Sequence, residues 1–342
     1  DWQDLISDYQ SHYYSLSVKD RKSQYFTSPV DIPALKRYMT SIVQGATVLN
    51  KYQQENSIVQ AEYVLRIAQV TNGLLHQKID KKAFGRTYYE GVSVLSTRKE
   101  LRMAFLGASW EYDCKSCSTA WKMSFATEWH AQKKSRKLDV RHTFAAMTLY
   151  LEDKEAFFDA VIQEVYNSLP TPDYKATIKE AMTALGFGAK LSMGTWRSDT
   201  GEENQSSLFE VFDRHTVVLK RFVECNLVET FNSEQQTLNK FIVAKFSGDA
   251  VWQAEMTAEQ QRKKVKQFSA AQKIVWLYQH AETIMMDMVR ADVKKSGNTV
   301  LANVHDAVVV RNQIPAKLLA KIERKVQVRT GVGYFRLGET GY

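Results

Sequence analysis

The sequence predicts an α+β protein that is mostly helical, and three observations lead there. Apolar residues recur at helical spacing through 32–49 and 58–75, with few Gly or Pro between them. A second long helical stretch covers 207–292, interrupted only around Ser247-Gly248-Asp249. Against this background, residues 300–310 and again 334–337 alternate as strands do.

Taken in order, residues 1–82 are expected to form an N-terminal helical lobe. From 83 to 112 the pattern changes to short extended pieces and a helix, and Trp110-Glu111-Tyr112 leads into Asp113 as the entry to a sheet. The first part of a sheet-bearing domain is therefore placed at 83–140. A helical region follows at 141–206, broken at Leu169-Pro170-Thr171-Pro172, where proline ends one helix and starts the next. Its end, 194–206, is polar and expected to be an exposed loop. The last region, 207–342, holds the long helices and returns to the sheet. No repeat, low-complexity segment or clear linker divides the chain.

The 342 residues suffice for one large core or two to three smaller ones. With 46 Lys+Arg against 38 Asp+Glu, the net charge is +8 and the pI about 9.1, which favours a polyanionic partner such as nucleic acid. Cys114, Cys117 and Cys225 are too few for a disulfide framework and have no fourth ligand at zinc spacing, so a reducing compartment is expected. No apolar run of ~18 residues exists, and Asp1-Trp2-Gln3-Asp4 does not open a signal peptide. No membrane partner and a cytoplasmic location are the corresponding expectations.

Three segments carry candidate chemistry. In Ala302-Asn303-Val304-His305-Asp306-Ala307-Val308, strand alternation puts Asp306 on one face with Val304, Val308 and Val310. A carboxylate among apolar neighbours costs several kcal/mol unless a cation compensates, which makes a metal its natural partner. The other reading of the same residues is a hairpin turn with a solvated Asp306. In Tyr112-Asp113-Cys114-Lys115-Ser116-Cys117-Ser118, a second Asp closes an apolar approach and is followed by small residues. Two such carboxylates, if they converge, can hold two Mg²⁺ ions about 4 Å apart, one activating a hydroxyl and one steadying a triphosphate. In the helix over 175–188, Lys175, Lys179, Thr183 and Phe187 recur every four residues and share one face. Two cations suit a triphosphate, the ring suits a base or sugar, and Gly186 and Gly188 permit close approach. An amphipathic helix with solvated lysines would show the same spacing.

In this order the segments resemble the motifs of the DNA polymerase I family and its relatives, the single-subunit phage and mitochondrial RNA polymerases. Val304-His305-Asp306 is similar to motif C, and Asp113 with its small followers to motif A. Lys179 followed by Phe187-Gly188 is similar to motif B, and Met182-Thr183 to its RNA polymerase version. Phe84-Gly85-Arg86, ahead of Arg98-Lys99-Glu100-Leu101-Arg102, resembles the Gly-Arg motif that holds template and primer. The resemblance implies a right-hand polymerase fold with an antiparallel palm, helical fingers around Lys179 and a thumb-like N-terminal lobe. It implies that Asp113 and Asp306 bind two Mg²⁺, that Lys179 contacts the triphosphate and protonates pyrophosphate, and that Lys175 stands where the family has Arg. Phe187 and Gly188 would pack at the sugar and templating base, His305 would lie near the growing end, and Arg86, Arg98 and Arg102 would grip phosphates.

Family DNA polymerases carry a Glu five residues after the motif A Asp, where it excludes the 2′-hydroxyl. Ser118 stands there in this chain and leaves room for that hydroxyl, as in the RNA polymerases. Against this, Phe187 replaces the Tyr with which the RNA polymerases sense that hydroxyl, so discrimination is weak or works through other groups, and the short distance from Arg86 to Asp113 resembles the DNA polymerases. DNA-directed RNA synthesis from nucleoside triphosphates is the expected activity, with DNA template and RNA product as partners, and a dNTP-using DNA polymerase is the alternative. The chain is short for either branch, so a second polymerase subunit or a DNA-binding accessory protein is expected. The resemblance also implies a viral or plasmid origin, with an organelle as the other location. A non-catalytic nucleic-acid-binding protein would explain the charge but not the two Asp contexts; a metal-dependent nuclease would not need the lysine helix. His130, His142, His215 and His280 have no partner at ligand spacing, 261–266 reads as a solvated basic helix face, and Gln279 and Glu282 are expected near the primer end or the palm.

Overall fold

The computed structural model describes residues 2–46, 49–80, 84–132, 139–197 and 203–342. The expected boundary at 82/83 lies outside them, as does the middle of the expected loop at 194–206. Helices dominate and every sheet is antiparallel, so the α+β class holds. The chain forms two compact units: residues 1–115, 282–326 and 336–342, and residues 116–281 and 327–335.

The first unit opens with α1 (Trp2–Ser15), α2 (Val18–Gln24), β1 (Tyr25–Pro29), α3 (Ile32–Val43), α4 (Lys51–Val70), β2 (Leu74–Asp80), β3 (Tyr88–Tyr89), α5 (Lys99–Leu106) and β4 (Trp110–Cys114). Its helices start where the sequence supplies caps. Asp31 accepts a bond from the Ala34 amide at the start of α3, and Asn50 with Gln53 closes a capping box on α4. Strands β1, β2 and β3 form one sheet; β3 falls in the region expected to hold short extended pieces, whereas β1 and β2 fall in the expected helical lobe. The correction has a physical reason: beside Tyr25 and Leu75, three of the buried positions of β1 and β2 are polar. Ser28, His76 and Gln77 are buried, and hydrogen bonds satisfy them. Gln77 Nε2 donates to Ser28 Oγ at 2.8 Å, Gln77 Oε1 accepts from Val94 N at 2.7 Å, and Ser28 Oγ donates to Leu301 O at 2.7 Å. No apolar alternation remains for a pattern to detect.

The second sheet of this unit runs β7–β8–β4–β9, with β7 at Val300–Val304, β8 at Ala307–Val310 and β9 at Leu337–Gly341. Leu35, Val64, Ile67, Leu101 and Phe105 from the N-terminal helices share one core with Leu301 and Val309 of this sheet. Residues 2–80 are therefore packed into the same unit as the sheet. Two further helices, α16 (Ala270–Lys295) and α17 (Ala316–Thr330), each contribute residues to both units; α17 lies between the expected strands, and the second of these, expected at 334–337, is found at 337–341 as β9.

The second unit is almost wholly helical: α6 (Cys117–Met123), α7 (Ala126–Gln132), α8 (Val140–Thr143), α9 (Ala145–Glu152), α10 (Lys154–Tyr166), α11 (Pro172–Gly186), α12 (Leu208–Val211), α13 (Thr216–Glu224), α14 (Asn226–Ser247) and α15 (Ala250–Arg262). Thr171 caps α11 and Pro172 occupies its first turn, as the Pro-Thr-Pro signal predicts. The expected loop at 194–206 instead carries a short hairpin, β5 (Thr195–Arg197) paired with β6 (Glu203–Gln205). Among the described residues, no helix is long and apolar enough to cross a membrane.

Candidate active site

The two aspartates meet across one strand pair of the first unit. On β4, Asp113 lies directly opposite Ala307 of β8, and the Cys114 amide donates to the Asp306 carbonyl at 2.8 Å. Asp306 does not sit on a strand face with Val304 and Val308, which corrects the alternation reading. It occupies the tight turn between β7 and β8, and His305 before it takes a left-handed backbone with φ 45°. A tight turn is a position strand periodicity does not describe.

The turn has not left Asp306 a plain solvated residue. Its side chain is exposed on one side, while protein atoms crowd the other. That crowding, reinforced by the negative charges of Glu282 and Asp113 and partly offset by Arg86, pushes its carboxyl up to about 6. Because water reaches the exposed side and screens these charges, the stability lost on ionising Asp306 is smaller than the shift alone would give. His305 moves the opposite way. Burial and the cations Arg86, Arg102 and Arg290 bring its imidazole down to about 4, so it is neutral at pH 7. Its ring meets Tyr88 edge-on, with centroids 5.3 Å apart.

Glu282, buried on α16, is held by Arg86 in a forked pair, Nε to Oε2 at 2.6 Å and Nη2 to Oε1 at 2.9 Å. Thr283 Oγ1 donates to Gly85 O at 3.1 Å and ties the same loop to the same helix. Arg86 thus comes from the Gly-Arg segment to neutralise a carboxylate next to Asp306. Removing it would leave a buried charge unpaired. Arg86→Ala is expected to cost about 3–5 kcal/mol of unfolding free energy, whereas Arg86→Ala with Glu282→Gln recovers most of the loss. Urea unfolding of the four proteins decides it, and equal costs in both backgrounds would refute the pairing account.

The other two arginines lie differently. Arg102 is buried in α5 and donates to Val94 O at 2.8 Å, while Arg98 caps that helix with 38% of its side chain exposed. Arg290, also buried, binds Asn303 and donates to Asp287 Oδ1 at 2.5 Å.

In the second unit, α11 exposes Lys179, Thr183 and Phe187 on one face, as the four-residue spacing predicts. Lys175 pairs there with Glu155 and, at 3.4 Å, with Asp159. Phe187 lies 6.0 Å from the Tyr278 ring, and Gly188 has φ 97° with Ala271 so close that an added Cβ would fall 2.6 Å from its Cβ. Gly186 to Ser192 line a cavity of about 740 Å³ floored by Val243, Ala244, Ala271 and Ile274. Ser118 is half-buried in the first turn of α6.

Sequence reading missed Lys122. It is fully buried on α6 and donates to Gly186 O at 2.9 Å and Gln235 Oε1 at 2.8 Å, so it closes the C-terminal end of α11. Burial brings its amine down to about 7. The only signal was one lysine inside the apolar run Ala120-Trp121-Lys122-Met123.

Among the described residues, no group of three or more His, Cys, Asp and Glu side chains could hold a metal ion by itself. Asp113 and Asp306 form a pair, a donor set that suits Mg²⁺, which keeps several waters and takes one or two carboxylates together with substrate phosphates. The raised pKa of Asp306, to which burial and the nearby negative charges of Glu282 and Asp113 contribute, marks a carboxylate that a divalent cation would relieve.

No protein-family model matches the chain, and no curated protein matches its sequence. Among solved structures the chain is similar to "POL domain of Pol1 from M. smegmatis complex with DNA primer-template and dNTP", with TM-score 0.45 and 11% identity over 84% of this chain and 51% of that one. The chain spans about half the length of that neighbour.

Proposed function

We propose that the protein is a template-directed nucleotidyltransferase of the DNA polymerase I superfamily type, and within it a DNA-directed RNA polymerase. The observation that carries the reading is the backbone adjacency of Asp113, on β4, and Asp306, in the β7–β8 turn, whose carbonyl accepts from the Cys114 amide although the two aspartates are 193 residues apart in sequence. Bound there, two Mg²⁺ ions would activate the attacking hydroxyl and neutralise the transferred phosphoryl group. The residues of the chain then divide the remaining work. Glu282 and Arg86 set the charge around Asp306, and neutral His305 faces the growing end without adding a cation. Lys179 and Lys175 take the triphosphate, and Phe187 and Gly188 the nucleoside. Arg98 meets nucleic-acid phosphate, while Arg86 and Arg102 support the same strand from within. In this reading the sheet of the first unit is the palm, α11 belongs to the fingers, and the N-terminal helices serve as thumb. The surplus of cations suits DNA template and RNA product. A second polymerase subunit or DNA-binding accessory protein, and a host-cytoplasmic site of action, complete the proposal.

The preference for ribonucleotides rests on Ser118. Extension of a primed single-stranded DNA template with Mg²⁺, with ribonucleotides in one reaction and deoxyribonucleotides in the other, tests it. Ribonucleotide incorporation should dominate, and Ser118→Glu should shift preference toward deoxyribonucleotides by about tenfold or more, the equivalent of one lost hydrogen bond and a steric clash. Deoxyribonucleotide preference in the unsubstituted protein would make it a DNA polymerase.

A further inference from the structure

We infer that Gly338 is a positioning residue for Asp113, and that the two residues opposite Asp113 are small so that its carboxylate can lie across the sheet. Asp113 faces Ala307 on β8 and Gly338 on β9, so its two cross-strand neighbours are the smallest side chains available. The contact with Gly338 is the tighter one. A Cβ built there would lie 2.7 Å from Asp113 Oδ1, 3.5 Å from its Cγ and 3.0 Å from Lys115 Cε. Lys115 ends in a flexible chain and can yield. Asp113 has a short side chain, so its carboxylate can escape only by rotating about χ1 or χ2, away from β9 and out of its present position.

The glycine is not required by the backbone. Gly338 is absent from the positive-φ residues, unlike Gly331 on the same segment with φ 76°, and it lies within a regular antiparallel strand. Alanine could adopt that conformation. What it could not do is leave the Asp113 carboxylate where it is. Gly341 provides the comparison on the same strand: a Cβ there would meet the Trp110 ring at 3.2 Å and leave Asp113 untouched.

This inference rests on Asp113 being a metal ligand, and the experiment separates the two claims. Mn²⁺ binding is followed by electron paramagnetic resonance for the whole protein, Gly338→Ala, Gly341→Ala and Asp113→Ala, and thermal midpoints are recorded without metal. Gly338→Ala should weaken Mn²⁺ binding by about 10- to 100-fold, the range for residues that orient a ligand, and Gly341→Ala should leave it unchanged. In the absence of metal, Gly338→Ala should lower the midpoint by at least about 3 °C when Asp113 is present, and by far less in the Asp113→Ala background, where nothing is left to clash. The midpoint cycle remains readable if the single variant folds poorly. Unchanged Mn²⁺ affinity in Gly338→Ala, or a midpoint loss of equal size in both backgrounds, overturns the positioning role. Mn²⁺ binding that survives Asp113→Ala overturns the metal-ligand reading instead.

Discussion

Asp306→Asn is expected to lower nucleotide incorporation by at least about a thousandfold while leaving the fold and template binding intact. Asparagine fills the same volume and is as content as Asp in a tight turn, so the β7–β8 hairpin has no reason to change. It removes the negative charge that would hold a cation. It also removes the repulsion that Glu282 and Asp113 exert on this position. The variant without metal should therefore gain stability over the parent as pH rises from about 4 to 6, so that its advantage is larger at pH 8 than at pH 5. The sign follows from linkage: a carboxyl whose pKa rises from 3.8 to about 6 on folding binds its proton more tightly when folded. Its stabilising effect is present at low pH and is lost as pH rises through 6. Mg²⁺ dependence runs the other way, because ions compete with that proton, and the Mg²⁺ needed for half-maximal rate should climb as pH falls below 6. Primer extension and thermal melting at pH 5, 6 and 8 check both halves. Retained activity in Asp306→Asn would remove this residue from the chemistry.

Lys122→Met should abolish a pH dependence of stability that the unsubstituted protein shows between pH 7 and 10. The amine is sealed in the second unit, and burial lowers its pKa from 10.5 to about 7. A depressed lysine pKa means that the unfolded chain binds the proton more readily. Stability from this group is then full above about pH 10.5 and is lost as pH falls toward 7, by on the order of 4 kcal/mol. Methionine keeps the length and apolar fill of the side chain and has no charge to titrate. It also leaves the Gly186 carbonyl and the Gln235 amide without their donor, at about 1–3 kcal/mol each, so the variant should be less stable than the parent at pH 10. Urea unfolding at pH 7 and 10 for both proteins isolates the lysine, since every other titrating group is common to them. Identical pH slopes would show that Lys122 is not titrating in this range.

The sequence made the helices legible wherever polar caps and apolar stripes agreed. Thr171-Pro172 announced α11, and the four-residue spacing of Lys179, Thr183 and Phe187 placed them correctly on one exposed face. Strands β1 and β2 were hidden because Ser28, His76 and Gln77 are buried, Ser28 and Gln77 satisfied by each other and by the backbone and His76 by the Thr27 hydroxyl, a solution visible only once the chain is folded. The union of Asp113 and Asp306 could be anticipated from their matching contexts but not demonstrated, since pairing across 193 residues depends on strand register. Glu282 was noticed on its helix, while its forked pairing with Arg86 depends on a loop conformation, including φ 92° at Gly85, that no spacing encodes. Gly338 and Lys122 escaped for the same reason: one matters through what its missing side chain leaves open, the other through burial of a charge.

The most direct measurement of the central claim is Mn²⁺ binding to the whole protein, with Asp113→Asn and Asp306→Asn alongside, in the presence of a non-hydrolysable nucleoside triphosphate. If the two aspartates form one cation site, each substitution alone should abolish the tightly bound Mn²⁺, and the double substitution should do no more. Binding that persists in either single variant, or losses that simply add, would contradict a shared metal centre and return the chain to the nucleic-acid-binding reading.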